Sequence, residues 1–360
     1  MGGNCVLRLH RRRGRLGPPR SDRPCRTGSC FQRLNVHIPR ADTSFPRSSG
    51  PRQRILITGS RGLIGSAAAV ELRKLGHDIV GLDLRGEGAE HGDTRSPERM
   101  QAALAQVDGV VHLAAVSRVI DGERDPLRCQ STNVDALVSL LDQMVALPRR
   151  PWLVFASSRE VYGHTDGRPT HEDAPLLPVN IYGRTKVEGE RLVMAARDRG
   201  LHTQIVRFSN VYGSTVDHVD RVIPAFARGA VTGRPLRVDG SDNTFDFNHV
   251  SDSVAGLVAL VEQLVDQPAI GHPPIHFVTG QPTTLGQLAA LAIELGGQGN
   301  AVVEAPSRAF DVAHFCGDFR RAQQLLGWTP KVMLREGLRA LVEAFRALER
   351  QPLAADRTSA

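Results

Sequence analysis

Hydrophobic and polar positions alternate in two rhythms between Arg54 and Phe208. Five short runs are apolar and rich in β-branched residues, as buried strands are: RILIT (54–58), DIVGLD (78–83), GVVHLA (109–114), PWLVFAS (151–157) and HTQIVRF (202–208). Longer segments with helical spacing separate them, at 63–76, 96–106, 132–147 and 181–200. This alternation predicts an α/β fold with a doubly wound parallel sheet, covered by helices on both faces.

The pattern changes after Phe208. Elements become shorter, and Pro and Gly more frequent, before a last helical segment at 334–350. We predict a first domain over 51–208, to which segments around 244–266 return. A smaller, interleaved C-terminal α/β domain is predicted over 209–348, followed by a flexible C-terminus at 349–360.

The positive charge of the chain is concentrated at its N-terminus. Residues 1–50 contain eleven Arg, no Lys and two Asp, whereas the remainder has 34 basic and 36 acidic residues. The first segment has no apolar periodicity, so we predict a disordered basic tail. A transit peptide stays an alternative for this segment, which is rich in Arg and poor in acids. Its basic stretch LHRRRGR has no interleaved aromatics, so we expect no nucleic-acid partner.

Cysteine and hydropathy patterns exclude several other classes. Of five cysteines, only Cys129 and Cys316 lie outside the tail, and their spacing fits neither a zinc site nor a disulfide framework. No apolar run approaches the length of a membrane span. We therefore expect a cytoplasmic protein with no bound metal and no membrane partner.

A glycine-rich loop joins the first predicted strand to the first predicted helix. In TGSRGLIG (58–65), Gly59 fits a tight turn, Gly62 the close approach of a pyrophosphate, and Gly65 the packing of helix on strand. The helix begins at Leu63 and Ile64, whose N–H groups would face the anion. The loop predicts a dinucleotide site.

Acidic residues after the second strand indicate which dinucleotide is bound. Asp83 can accept from ribose hydroxyls and repel a 2′-phosphate, which favours NAD over NADP. Arg61 and Arg85 lie nearby in sequence and can hold a phosphate, so NADP stays an alternative. Asp93, in HGDTR, is either an adenine contact or a solvated loop acid.

Tyr182 and Lys186 stand four residues apart at the start of a predicted helix, in NIYGRTK. They therefore share one helix face. A phenol is a poor base at neutral pH, but an adjacent ammonium and a positive nicotinamide can lower its pKa. The pair predicts a tyrosine base whose lysine partner also binds the nicotinamide ribose.

Nine motifs in order resemble the extended short-chain dehydrogenase/reductase family, specifically its nucleotide-sugar epimerases and dehydratases. They are TGSRGLIG, GLDLR, VVHLAA, STNVDALVSLL, FASSREVYG, IYGRTK, RFSNVYG, TFDFNHVSD and LLGWTPKVMLREGL, from about Arg54 to Phe345. The resemblance implies a Rossmann-type sheet that binds NAD and a C-terminal domain that binds a nucleotide sugar.

The resemblance also implies roles for individual residues. Ser158 would hydrogen-bond the reacting sugar oxygen, with Tyr182 as base and Lys186 as its partner. The cofactor channel would be lined from His112 through Leu113, Ala114 and Ala115, and braced by Asn133. Asn210 would contact the sugar diphosphate and Arg308 would pair with it. Phe245 stands where the family usually has Arg, so that phosphate contact is lost or is replaced by Arg237.

The reaction implied is 4-epimerisation through a transient 4-keto sugar, as in UDP-glucose 4-epimerases. Glu160 leaves an alternative open, since dehydratases and decarboxylases of the family use a Glu here to take the C5 proton. Its neighbour Arg159 can instead tie up that carboxylate in an ion pair. A non-catalytic NAD-binding sensor or scaffold is a third possibility, which the intact Ser158, Tyr182 and Lys186 disfavour.

The family also implies a homodimer with a four-helix interface built from the segments 132–147 and 181–200. Apolar residues at helical spacing motivate this prediction, although they can equally be core: Leu137, Leu140, Leu141 and Met144.

Overall fold

The structure, a computed structural model, describes residues 50–350. Residues 1–49 of the tail predicted at 1–50, and residues 351–360 of the C-terminus predicted at 349–360, lie outside the described residues. Eleven strands lie within them: β1 (Arg54–Thr58), β2 (Asp78–Leu82), β3 (Gly109–His112), β4 (Trp152–Ser158), β5 (Thr203–Phe208), β6 (Asn210–Tyr212), β7 (Leu236–Asp239), β8 (Thr244–His249), β9 (Ile275–Phe277), β10 (Pro282–Thr284) and β11 (Val302–Ala305).

The helices of the described range alternate with these strands. They are α1 (Leu63–Lys74), α2 (Pro97–Leu104), α3 (Val119–Arg124), α4 (Pro126–Gln130), α5 (Ala136–Ala146), α6 (Ile181–Asp198), α7 (Val222–Thr232), α8 (Val250–Asp266), α9 (Leu285–Gly296), α10 (Arg320–Leu326) and α11 (Leu334–Arg350). A π-helical turn, Ser131–Asp135, joins α4 to α5, and 3₁₀ turns lie at Gly88–Glu90 and Arg159–Val161.

Six strands form the main sheet in the order β2-β1-β3-β4-β5-β9, and every neighbouring pair is parallel. Successive side chains of a strand point to opposite faces, so Ile55 and Ile57 pack with α1 and α8, whereas Leu56 packs with α2, α5 and α6. The predicted doubly wound α/β fold is confirmed.

A second core lies in the C-terminal half. It is built from α7, α9 and α11 together with residues of β6, β7 and β8. Two small sheets belong to this part: β10-β8-β6 and β11-β7. The chain returns to the main sheet further along than the predicted 244–266, because β9 adds its sixth strand at 275–277 and α10 packs in the same core as α8.

One basis for the predicted dimer interface is wrong. Leu137, Leu140, Leu141 and Met144 are all buried on the sheet-facing side of α5, in the core shared with α2 and α6. Their helical spacing records packing within the chain, since a stripe that faces the sheet cannot also face a partner. The exposed apolar residues of the two helices are others, Val138 and Met194.

Candidate active site

The predicted site residues meet at the carboxyl ends of the parallel strands. The glycine-rich loop follows β1, Asp83 follows β2, and residues 113–115 follow β3. Ser158 is the last residue of β4, and Asn210 begins β6, two residues after the end of β5. Ligands of open α/β sheets bind at this edge, so the topology brings together residues that are far apart in sequence.

The glycine-rich loop has room only for glycine at two of its three positions. Gly59 has a φ of +71°, and a Cβ placed there would lie 2.9 Å from the backbone nitrogen of Ala114. A Cβ on Gly65 would overlap the carbonyl oxygen of Gly59. Gly62 is the N-cap of α1, and no side chain caps the helix there. The first-turn N–H groups, including those of Leu63 and Ile64, are therefore available to an anion, as a pyrophosphate site requires.

Two predicted cofactor acids lie at this edge with backbone partners. The carboxylate of Asp83 is nearly buried and accepts from the N–H groups of Arg61 and Arg85 at 2.9 and 2.8 Å. Asp93 accepts from the side chain and the N–H of Arg95, whose hydrogen bond lowers the pKa of that carboxyl. Their roles toward ribose and adenine remain predictions.

The loop after β3 is held by two neighbouring elements. The N–H groups of Leu113 and Ala114 bond to the backbone oxygen and the hydroxyl of Thr58 at 3.2 Å each. Asn133, in the π-helical turn, accepts from the N–H of Val116 at 2.8 Å and donates to its carbonyl at 3.1 Å. This fixes the loop that carries Ala114 and Ala115.

Tyr182 and Lys186 lie on the first turns of α6, which Asn180 caps by accepting from the N–H of Gly183 at 2.7 Å. Both side chains are buried, and the Lys186 ammonium lies 5.8 Å from the centre of the Tyr182 ring. Lys186 Nζ donates to the carbonyl of Ala156 on β4 at 2.7 Å. The predicted shared face is therefore present, and β4 fixes the lysine.

Burial dominates the protonation of this pair. It raises the pKa of Tyr182 to about 12, against the opposing effect of the Ser158 hydroxyl, and lowers the pKa of Lys186 to about 8. The surroundings within the chain thus disfavour the phenolate, contrary to what the ammonium alone was expected to do. The expected lowering of the Tyr182 pKa would therefore have to come from the positive charge of the nicotinamide.

Glu160 lies in the 3₁₀ turn directly after Ser158, and both of its oxygens are engaged. Arg159 Nη2 lies 2.7 Å from Oε1, and Asn180 Nδ2 donates to Oε2 at 2.7 Å. The side chains of Arg159 and Glu160 are each only 7% exposed. The ion pair that the sequence left open is therefore formed.

Arg159 makes further contacts in the site, beyond its ion pair with Glu160, that the sequence reasoning missed. Its guanidinium lies 4.8 Å above the ring of Phe245, the position where the family usually has Arg, and 5.8 Å from the ring of Phe315. Its Nε donates to Asn210 Oδ1 at 3.2 Å. Phe245 thus packs against a cation that comes from the end of β4.

The predicted substrate contacts are not all brought together. Arg308 is half exposed and pairs with Asp311 at 2.8 Å. It lies close to the start of α6, since the carbonyl of nearby Phe310 accepts from Asn180 at 3.2 Å. Arg237 lies on β7, is 72% exposed and pairs with Asp239. Among residues 50–350, no hydrogen bond or ion pair joins Arg237 to Asn210 or Arg308.

Within the described range, no group of three or more His, Cys, Asp or Glu side chains is arranged to hold a metal ion. Nor does any helix of residues 50–350 have the length and apolar character needed to cross a membrane.

Comparison with known proteins shows similarity over most of the chain. The model of the NAD dependent epimerase/dehydratase family matches residues 55–273. UDP-glucose 4-epimerase of Mycolicibacterium smegmatis is 31% identical, over 81% of this chain and 98% of its own. UDP-glucuronic acid decarboxylase 1 of Xenopus tropicalis is 30% identical, over 83% of this chain and 73% of its own.

Solved structures show the same architecture. MoeE5 in complex with UDP-glucose and NAD superposes with a TM-score of 0.76 at 31% identity, covering 82% of this chain and 99% of its own. UDP-glucose 4-epimerase of Thermotoga maritima gives a TM-score of 0.75 at 28% identity, covering 82% and 99%. The predicted enzyme class and the NAD cofactor are confirmed with the resemblance: the chain belongs to the NAD dependent epimerase/dehydratase family.

Proposed function

We propose that the protein is a nucleoside-diphosphate-sugar 4-epimerase, which inverts C4 of the sugar through a transient 4-keto sugar. Bound NAD supplies a reversible acceptor for the C4 hydride. Tyr182 removes the proton of the C4 hydroxyl, and the Ser158 hydroxyl hydrogen-bonds the same oxygen. Once the 4-keto sugar has rotated in the site, C4 would be reduced from its opposite face, and Tyr182 would return the proton to the C4 oxygen.

Lys186 supports this cycle from a fixed position. Its hydrogen bond to Ala156 at 2.7 Å and its burial hold the ammonium beside the Tyr182 ring. A buried cation stabilises a nearby phenolate because little water screens the two charges. The lysine therefore favours the deprotonated tyrosine when the nicotinamide charge is also present.

The observation that favours epimerisation over elimination is that both carboxylate oxygens of Glu160 are already engaged. A dehydratase or decarboxylase of this family needs a free carboxylate to take the C5 proton. Here Arg159 and Asn180 occupy both oxygens at 2.7 Å, and the pair is buried. Separating a buried ion pair is costly, so Glu160 is better suited to hold Arg159 and Asn180 in place than to act as a base.

Elimination is the second candidate, and a specific observation keeps it in view. Glu160 lies two residues after Ser158, and its N–H donates to the Ser158 hydroxyl at 3.2 Å. A relative 30% identical is a UDP-glucuronic acid decarboxylase. In this alternative Glu160 leaves Arg159 when substrate binds. A sensor or scaffold role would leave Ser158, Tyr182 and Lys186 without a use.

The test is a panel of UDP- and dTDP-linked hexoses and uronic acids, incubated with the full chain in deuterated water and followed by NMR. We expect a product inverted at C4 that keeps hydrogen at C5. A product deuterated at C5 or C6, or one that has lost carbon dioxide, would support elimination instead. No product, and no conversion of NAD to NADH, would leave only the sensor reading. Tyr182→Phe serves as the inactive control.

We also propose a homodimer formed by the outward faces of α5 and α6. Val138 on α5 is 38% exposed and Met194 on α6 is 53% exposed. These two residues replace the buried apolar residues of α5 as the apolar contribution to the interface.

The cytoplasmic location stays a prediction, supported by the free thiols of Cys129 and Cys316, which a reducing compartment preserves.

A further inference from the structure

Two cationic side chains lie beside Asp83 at the predicted adenosine end of the site, and both are already paired. Arg61, in the glycine-rich loop, donates from Nε to Glu90 Oε2 at 2.8 Å. Arg85 Nε lies 3.6 Å from Asp83 Oδ1, and its Nη2 donates to the carbonyl of Arg61 at 2.7 Å. The four side chains together carry no net charge.

Glu90 is held at this edge by hydrogen bonds of both its backbone and its side chain. Its carbonyl accepts from the N–H of Asp83 at 3.0 Å, and its Oε1 accepts from the Ser60 hydroxyl at 2.7 Å. A Cβ on Gly81 of β2 would overlap the Glu90 carboxylate, so glycine there leaves space for it. Partial burial alone would raise the pKa of Glu90, but the hydrogen bonds from Arg61 and Ser60 outweigh it and the pKa is lowered.

A 2′-phosphate would enter this edge with a charge of about −1.5 to −2. Recognition of such a group needs a cation free to receive it, usually an arginine near the end of the second strand. Arg61 belongs to the glycine-rich loop but lies at this strand end, where its N–H donates to Asp83 at 2.9 Å, and its guanidinium is paired with Glu90. Arg85 follows the second strand, and its guanidinium lies 3.6 Å from the Asp83 carboxylate.

We propose that Glu90 is a second determinant of cofactor choice, which favours NAD over NADP by holding Arg61 away from the position of a 2′-phosphate. Asp83 accepts from the ribose hydroxyls, whereas Glu90 acts through Arg61 and is a positioning residue. The proposal concerns the cofactor alone and is independent of which sugar is processed. It implies that removing the charge of Asp83 releases Arg85 alone and leaves Arg61 paired with Glu90.

Calorimetric titration of the nucleotide-free full chain with NAD and with NADP tests this directly. For Glu90→Gln we expect the Kd of NADP to fall about tenfold as Arg61 becomes available for a charge-assisted bond, with less than about threefold change for NAD. Glu90→Asp, which keeps the charge, should preserve the preference of the unmodified protein. Glu71→Gln is the matched control, since Glu71 pairs with Lys74 on α1 in the same manner.

Two results would overturn the proposal. The first is that the ratio of NADP to NAD affinity of Glu90→Gln stays within about twofold of that of the unmodified protein. This includes the case where both nucleotides bind more weakly by the same factor, which is what a merely structural role predicts. The other comes from the double variant with Arg61→Ala. If Glu90 acts through Arg61, Glu90→Gln changes nothing in that background, and a persisting gain for NADP contradicts the inference.

Discussion

Burial of two titratable side chains in one place is the dominant feature at the scale of residues. Lys186 and Tyr182 are both almost inaccessible to solvent, and burial shifts their pKa values in opposite directions, to about 8 and about 12. Each shift favours the neutral form, which costs stability wherever the unfolded chain would carry the charge. The remainder of the fold must therefore offset the cost of burying this pair.

The lysine gives a prediction about stability and pH. Because its folded pKa lies below the unfolded value of 10.5, the unfolded chain binds more protons between about pH 8 and 10.5, and stability rises with pH in that window. Lys186→Met removes this contribution. Urea unfolding of nucleotide-free protein should show the stability of the variant relative to the unmodified protein falling by about 2 kcal/mol from pH 7.5 to 10. Stability profiles that run parallel for the two proteins would contradict a lowered pKa of Lys186.

Glu160 provides the second prediction at this scale. Glu160→Gln keeps the shape of the side chain and an oxygen that can accept from Arg159, so epimerisation should persist within about tenfold of the original rate. Turnover is measured by NMR of the sugar product. Loss of turnover together with accumulation of a 4-keto sugar would instead assign Glu160 to proton transfer at C5.

At the scale of elements, the sequence predicted what local patterns control. The strands β1 to β5 and the helices α1, α2, α6 and α11 follow from apolar spacing and lie within a few residues of their expected ends. The π-helical turn at Ser131–Asp135 could not be predicted, because it places Asn133 against the backbone of Val116 in a different loop. The three residues of β9 are too few for any periodicity to mark them.

The same limit applies to the site. Gly59, Asp83, Ser158, Tyr182 and Lys186 carry local signals, whereas the stacking of Arg159 on Phe245 joins residues 86 positions apart that only the fold brings together. Asn180 carries a local signal too, since an Asn directly before an amphipathic segment indicates a helix cap.

The turn from β1 into α1 gives a prediction at the element scale. In Gly65→Ala the new methyl group would overlap the Gly59 carbonyl, so the loop must shift at a cost of about 1–3 kcal/mol. NAD binding should weaken as well, because the N–H groups of the loop move. Gly271→Ala is the control, since a Cβ there has no neighbour within 4 Å. Chemical unfolding and NAD titration of both variants decide the outcome, and equal stability of the two would be inconsistent with this packing.

At the scale of the whole molecule, the main sheet and the C-terminal half have separate cores within one chain. One face of the sheet packs against α1, α8 and α10 and the other against α2, α5 and α6, whereas the C-terminal core draws on α7, α9 and α11. Because the chain crosses between them several times, site residues such as Ser158 and Asn210 are contributed by strands of different sheets. The sequence indicated this interleaving through the loss of regular alternation after Phe208.

The outer surface of the molecule yields the dimer prediction. We expect the full chain to be a dimer by light scattering at micromolar concentration, and the double variant Val138→Glu with Met194→Glu to be a monomer, because charge at an apolar interface is unfavourable. Val70→Glu is the control, since Val70 is 49% exposed on α1, away from both helices. A monomeric unmodified protein would refute the proposed interface.

The central claim is that one hydride leaves and returns to the same carbon. The most direct measurement uses the active sugar nucleotide from the panel, labelled with deuterium at C4, in ordinary water. The account predicts a C4-inverted product that retains the deuterium at C4. Deuterium found on another carbon, or lost to solvent, would contradict 4-epimerisation by this protein.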